Sequence, residues 1–87
     1  MISRYGDWIS ARVGEEIMMM SVERGIYLGL NEVGARIWDL IETPKPRETL
    51  YSALQAEFDV NEETCQNEVD DFLQELLSHG AAVDSRG

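Results

Sequence analysis

Between Leu30 and Asn31 the hydrophobic period of the chain changes from two to about 3.6, and this switch confines the fold to an α+β plan with strands first and helices after. Upstream, Trp8 to Val13 alternates loosely and stops at Gly14. Glu16 to Val22, containing Ile17 and Met18-Met19-Met20, reads as a strand that is apolar on both faces. Glu23-Arg24-Gly25 supplies turn chemistry before Ile26-Tyr27-Leu28-Gly29-Leu30. In this third strand Ile26, Leu28 and Leu30 share one face, while Tyr27 and Gly29 share the other. Turns this short make an antiparallel three-stranded meander the economical arrangement.

Downstream, Asn31 is a good helix N-cap, and Glu32 follows it at the positive end of the helix dipole. Val33, Ile37, Leu40 and Ile41 form the apolar stripe of this first helix, with Trp38 on its flank. Thr43-Pro44-Lys45-Pro46 breaks it, and Pro46 suits the first turn of the next. Leu50, Ala53, Leu54 and Phe58 give the second helix its buried face. Asn61 caps a third helix whose stripe, Cys65, Val69, Phe72, Leu73, Leu76 and Leu77, is the strongest periodic signal in the chain. Gly80 ends it after His79. Ala81 to Val83 reads as a short extended piece and Asp84 to Gly87 as a frayed tail. The 87 residues make one domain, 1–87, with a winged helix-turn-helix-like order of three strands and three helices.

Charge narrows the partners. Residues 1–47 carry seven acids and six bases, whereas 48–85 carry ten acids and no lysine or arginine. Phosphate binding needs clustered cations, so nucleic acid is excluded as a partner. No apolar run reaches the ~20 residues of a membrane span, and Met1 to Trp8 lacks the apolar stretch of a signal peptide. A cytoplasmic protein is the expectation.

Little in the chain is catalytic in pattern. His79 is the only histidine and falls at a helix end, where its charge complements the dipole. Cys65 lies on the apolar stripe, the setting of an inert buried thiol. No second Cys or His stands at metal-ligand spacing, so no metal and no cofactor are expected. Asp70-Asp71, with Glu68 and Glu75, reads as a solvated helix face and lacks the pattern of a calcium loop. The Met18-Met19-Met20 run is core filler on one reading and part of an adaptable peptide groove on another. A binding module without enzymatic activity follows.

The segment Gly25-Ile26-Tyr27-Leu28-Gly29-Leu30-Asn31-Glu32-Val33-Gly34-Ala35-Arg36-Ile37-Trp38 closely resembles the signature of the PqqD-like family. Leu50, Leu54, Phe58, Val69, Phe72-Leu73, Leu76 and Gly80 extend the resemblance over residues 8–83. It implies a recognition element for ribosomally made, post-translationally modified peptides. Such a domain takes up a leader peptide as an added strand, in a cleft between its third strand and third helix. Carried over by position, the peptide-binding residues are Ile26, Tyr27, Leu28, Gly29 and Leu30, faced by some of Val69, Phe72, Leu73 and Leu76. Glu68, Asp71 and Glu75 would form an electrostatic rim. The partners implied are a precursor's leader and a processing enzyme, the Leu30-Asn31 to Trp38 string being more similar to copies that accompany lasso-peptide leader proteases. Alternatives are a general protein–protein interaction module, a peptide chaperone for a radical enzyme of quinone-cofactor synthesis, and a winged-helix DNA-binding regulator. The acidic third helix stands against the last.

Overall fold

In the computed structural model, which describes residues 1–85, eight elements follow one another. They are β1 (Ile2–Arg4), β2 (Trp8–Val13), β3 (Glu16–Ser21), β4 (Ile26–Leu30), α1 (Glu32–Leu40), α2 (Arg47–Glu57), α3 (Glu62–Ser78) and β5 (Ala82–Asp84). Tight turns at 14–15 and 22–25 fold β2, β3 and β4 into an antiparallel sheet in that order. Its register places Ser10 opposite Met19 and Met19 opposite Leu28, so this row faces the helices. The next row, Ile9, Met20 and Tyr27, faces away from them. The fold is α+β, three antiparallel strands followed by three helices, as the change of period demands.

Caps set the helix boundaries. Asn31 accepts a hydrogen bond from the Gly34 amide at 3.0 Å, and Asn61 accepts one from Thr64 at 2.8 Å. Each satisfies an amide that the first helical turn leaves free. At the far end of α3, Gly80 at φ +72° lets its own amide reach the Leu77 carbonyl and the Ala81 amide reach Leu76. This is a Schellman termination, which needs a residue at ease in the left-handed region.

The core lies between the inner face of the sheet and the three helices. Met19 and Leu30 meet Ile37 and Ile41 of α1, Leu50 and Leu54 of α2, and Val69, Leu73 and Leu76 of α3 in one buried cluster. Each fully buried aliphatic side chain contributes ~1.5–3 kcal/mol relative to exposure.

Several sequence expectations shift in detail. Asp84 belongs to β5 and is not frayed: it pairs with Ile2, Val83 with Ser3, and Ala82 with Arg4. The β1–β5 ribbon was not read from the sequence, because three-residue strands carry no measurable period and their partners lie some eighty positions apart. The part of the expected tail at 86–87 lies outside the described residues. Trp38 is not on a flank but is 4% exposed, whereas Val33 and Leu40 are half-buried. The N-terminal arm rotates the buried stripe of α1 in this way: the Arg4 guanidinium lies 4.4 Å from the Trp38 ring centroid and donates to the Trp38 carbonyl. Pro46 is the N-cap of α2, one residue before the helical turn where it was expected.

Candidate functional site

The strand order leaves β4 at an edge of the sheet, paired with β3 on one side only. Leu28 and Leu30 send their side chains into the core and Ile26 is half-buried, while Tyr27 and Gly29 are exposed. Among the described residues, no backbone partner lies on the outer side of this strand. An open edge of that kind is a template for another extended chain.

Two anchors fix where α3 stands relative to this edge. Near the start of β4, the Arg24 guanidinium donates to the His79 carbonyl at 2.5 Å, and Trp8 Nε1 donates to the Gly80 carbonyl at 3.4 Å. Asp7 steadies the same turn, accepting from the Ser21 hydroxyl at 3.1 Å and the Glu23 amide at 3.0 Å. These hydrogen bonds, the Glu23 amide first, hold the Asp7 carboxyl below the ordinary carboxylate range. Just past the end of β4, Gly34 lies under the Phe72 ring so closely that a Cβ there would stand 2.4 Å from Phe72 Cε1. The residues that flank β4 in the chain thus touch α3 at two points, Arg24 at His79 and Gly34 at Phe72.

This geometry sorts the third-helix residues named from the sequence. Val69, Leu73 and Leu76 are fully buried and belong to the core. Phe72 alone of the four is half-exposed. Glu68 and Glu75 lie about one helical turn on either side of Phe72, and Asp71 is adjacent; all three are exposed and no lysine or arginine pairs with them among the described residues. Asp70, in contrast, faces α2, where Arg47 donates to it at 3.1 Å and the Tyr51 hydroxyl also donates. Burial first, and then the Asp70 carboxylate, push the Tyr51 phenol upward in pKa.

Gly34 and Arg24 are the residues that sequence reasoning passed over. Gly34 was part of the quoted signature without a role. Its signal was a glycine inside a helical turn, where it costs ~1 kcal/mol against alanine and so asks for a packing reason.

Cys65 is 2% exposed and its thiol donates to the Tyr51 carbonyl at 3.5 Å. Burial and then the Glu68 charge raise its pKa, which disfavours the thiolate. Charges where the β2–β3 hairpin meets the first two helices pair internally: Arg12 of β2 with Asp39 of α1 at 2.7 Å, and Arg36 of α1 with Glu57 of α2 at 2.8 Å. Glu32, beside Glu15, is raised in pKa by that like charge. No helix among the described residues is long and apolar enough to cross a membrane.

Comparison with solved structures gives two matches that cover nearly the whole chain. TbiB1 in complex with the TbiA(beta) leader peptide is 29% identical, covers 98% of this chain and 99% of its own, and superposes with a TM-score of 0.84. A lasso peptide synthetase B1 complexed with the leader peptide is 16% identical, covers 95% of this chain and 98% of its own, and has a TM-score of 0.81, showing the shared fold. A search of curated protein sequences finds no match. The family model described as coenzyme PQQ synthesis protein D (PqqD) matches residues 16–81, from the start of β3 to just beyond the Gly80 termination, and the chain therefore belongs to the PqqD family.

Proposed function

We propose that this chain binds the leader segment of a ribosomally made precursor peptide as a fourth strand on the open edge of β4, and presents it to a processing enzyme. The free β4 edge, whose flanking residues touch α3 at His79 and Phe72, carries the reading. The similarity over 98% of the chain to TbiB1, whose structure is a complex with the TbiA(beta) leader peptide, supports a leader peptide as the occupant. Four or five strand-pairing hydrogen bonds, each ~0.5–1.5 kcal/mol net, fix the peptide's register. Apolar leader side chains at alternate positions would meet Phe72 and the flank of Ile26, and Glu68, Asp71 and Glu75 would favour a basic segment nearby. Tyr27 and Gly29 take part through their backbone, since their side-chain positions face the other way. Ordering a disordered leader costs ~2–5 kcal/mol, which leaves room for micromolar to nanomolar affinity. Catalysis resides in the partner, for which a leader protease of the lasso-peptide type is our choice, and this domain raises the local substrate concentration.

Titration calorimetry with two versions of a synthetic leader tests strand addition without altering the protein. Each is N-methylated at every second residue, in opposite phase. An added strand points alternate amides at β4, so one version should lose binding and the other should keep most of it. Equal loss in both phases would exclude this binding mode.

A further inference from the structure

The outer face of the sheet reverses the usual distribution of polarity. On β2, Ser10 and Arg12 lie on the helix side, in rows with Met19 and Ile17, while Ile9, Ala11 and Val13 face solvent. Ile9 is 57% exposed, Val13 71%, Met18 50% and Tyr27 71%. Glu16, opposite Val13, is the single charged residue on this face of the three strands. An antiparallel sheet covered on one side ordinarily shows polar residues on the other, and a contiguous apolar surface marks an interaction site.

We propose that this face is a self-association surface whose occupant is a second copy of this chain, packed sheet against sheet. The register supplies the argument. One cross-strand row is large throughout, Ile9, Met20 and Tyr27; the next is small, large, small, namely Ala11, Met18 and Gly29. A twofold axis between the sheets, perpendicular to the strands and midway between these rows, lays the first row of one copy on the second row of the other. Ile9 then sits over Ala11, Met20 over Met18 and Tyr27 over Gly29, and symmetry repeats all three contacts. Gly29 carries no side chain, so the Tyr27 ring of the other copy can lie against its backbone once the Met18 methyl, 3.8 Å from where a Cβ would stand, turns aside. A pocket of about 470 Å³, lined by Val13, Glu16, Met18 and Asn31 among others, continues from there toward the end of the sheet. Face-to-face sheets ~10 Å apart are an established packing solution.

Size and charge set the strength. Three strands of this length project roughly 300 Å², against ~800 Å² of accessible surface per partner in stable complexes, so the dimer is weak and concentration-dependent. The acids of α2 and α3 lie on the helix side of the sheet and end up outermost in the pair. Their repulsion acts at a distance and is screened by salt, so salt strengthens the association. The β4 edge stays open in this arrangement, and the proposal does not depend on leader binding.

Sedimentation equilibrium of the full chain, from low micromolar to millimolar concentration at two salt levels, tests it. The expected result is a reversible monomer–dimer equilibrium in the high-micromolar range that tightens with salt. Ile9→Glu should abolish it, and circular dichroism should show an unchanged fold because the position is exposed. Ala11→Trp separates shape from stickiness: a larger apolar residue in the seat of Ile9 should weaken the dimer roughly tenfold or more, whereas indiscriminate adhesion would tighten it. A monomer at every concentration, a dimer that survives Ile9→Glu, or one that tightens with Ala11→Trp overturns the proposal.

Discussion

Gly34 shows how one hydrogen in place of a methyl group shapes the site. In an isolated helix, Gly34→Ala would gain ~1 kcal/mol, but here the new methyl meets the Phe72 ring at 2.4 Å. Overpacking of this kind costs ~1–3 kcal/mol, so the substitution should destabilise the protein in urea unfolding, and a second change, Phe72→Leu, should recover most of the loss. Additive effects of the two changes would mean that the contact is not the cause. Two carboxyls make predictions of opposite sign with pH. Asp7 is depressed in the fold, so its contribution is present above the ordinary carboxylate range near pH 4 and disappears as pH falls through its lower folded value. Asp7→Asn should therefore lower the melting temperature at pH 7 and leave less dependence on pH in acid. Glu32 is raised by Glu15, so its ionised form opposes folding and stability is gained as pH falls through its folded value. Glu15→Gln should raise the melting temperature at pH 7, with the gain fading in acid; a loss at pH 7 would contradict the assigned repulsion.

Among the elements, β1 and β5 make the least visible and most consequential pairing. Ile2 is 1% exposed and its backbone bonds with Lys45 in both directions, at 2.6 and 2.9 Å, so the N-terminus is tied to the α1–α2 connection as well as to β5. Ile2→Ala should cost ~2–5 kcal/mol, a large part of the ~5–15 kcal/mol that holds a typical domain together. A denaturation midpoint indistinguishable from the parent's would show that the ribbon is dispensable. By contrast, β4 and α3 were legible from their periods alone, because each commits one side to the core over several residues. What could not be read was which side of α3 remained open: Val69, Phe72, Leu73 and Leu76 share one stripe, and only the placement of α1 beneath Phe72 divides them.

For the whole molecule, the formal charge of −10 is the property that reaches furthest. The ten acids between Glu48 and Ser85 lie on and around two helices and the last strand, with no lysine or arginine in the same stretch to offset them. A helix-turn-helix arrangement with this charge would repel phosphates rather than release their counterions. Fluorescence anisotropy should show no specific duplex binding at physiological salt, and submicromolar, salt-sensitive binding would refute that view. The same charges predict a modest effect on leader binding. Glu68→Lys, Asp71→Lys or Glu75→Lys should weaken a basic leader mainly at low salt, since an exposed pair contributes only ~0–1 kcal/mol.

The order of the three central strands and three helices, the helix caps at Asn31 and Asn61, the stop at Gly80 and the apolar stripes of β4 and α3 were legible in the sequence alone, as was the charge distribution that argues against nucleic acid. Each depends on neighbours a few residues apart or on total charge, which a linear pattern records. Tertiary structure decided the rest. It paired the two ends of the chain, buried Trp38 beneath Arg4, drew Gly34 under Phe72 and left Phe72 half-exposed while its stripe-mates entered the core. It also turned the apolar side of β2 outward, with Ser10 and Arg12 on the helix side. These outcomes depend on which surfaces meet across long separations, and an alternating strand does not itself state which of its faces the helices will cover.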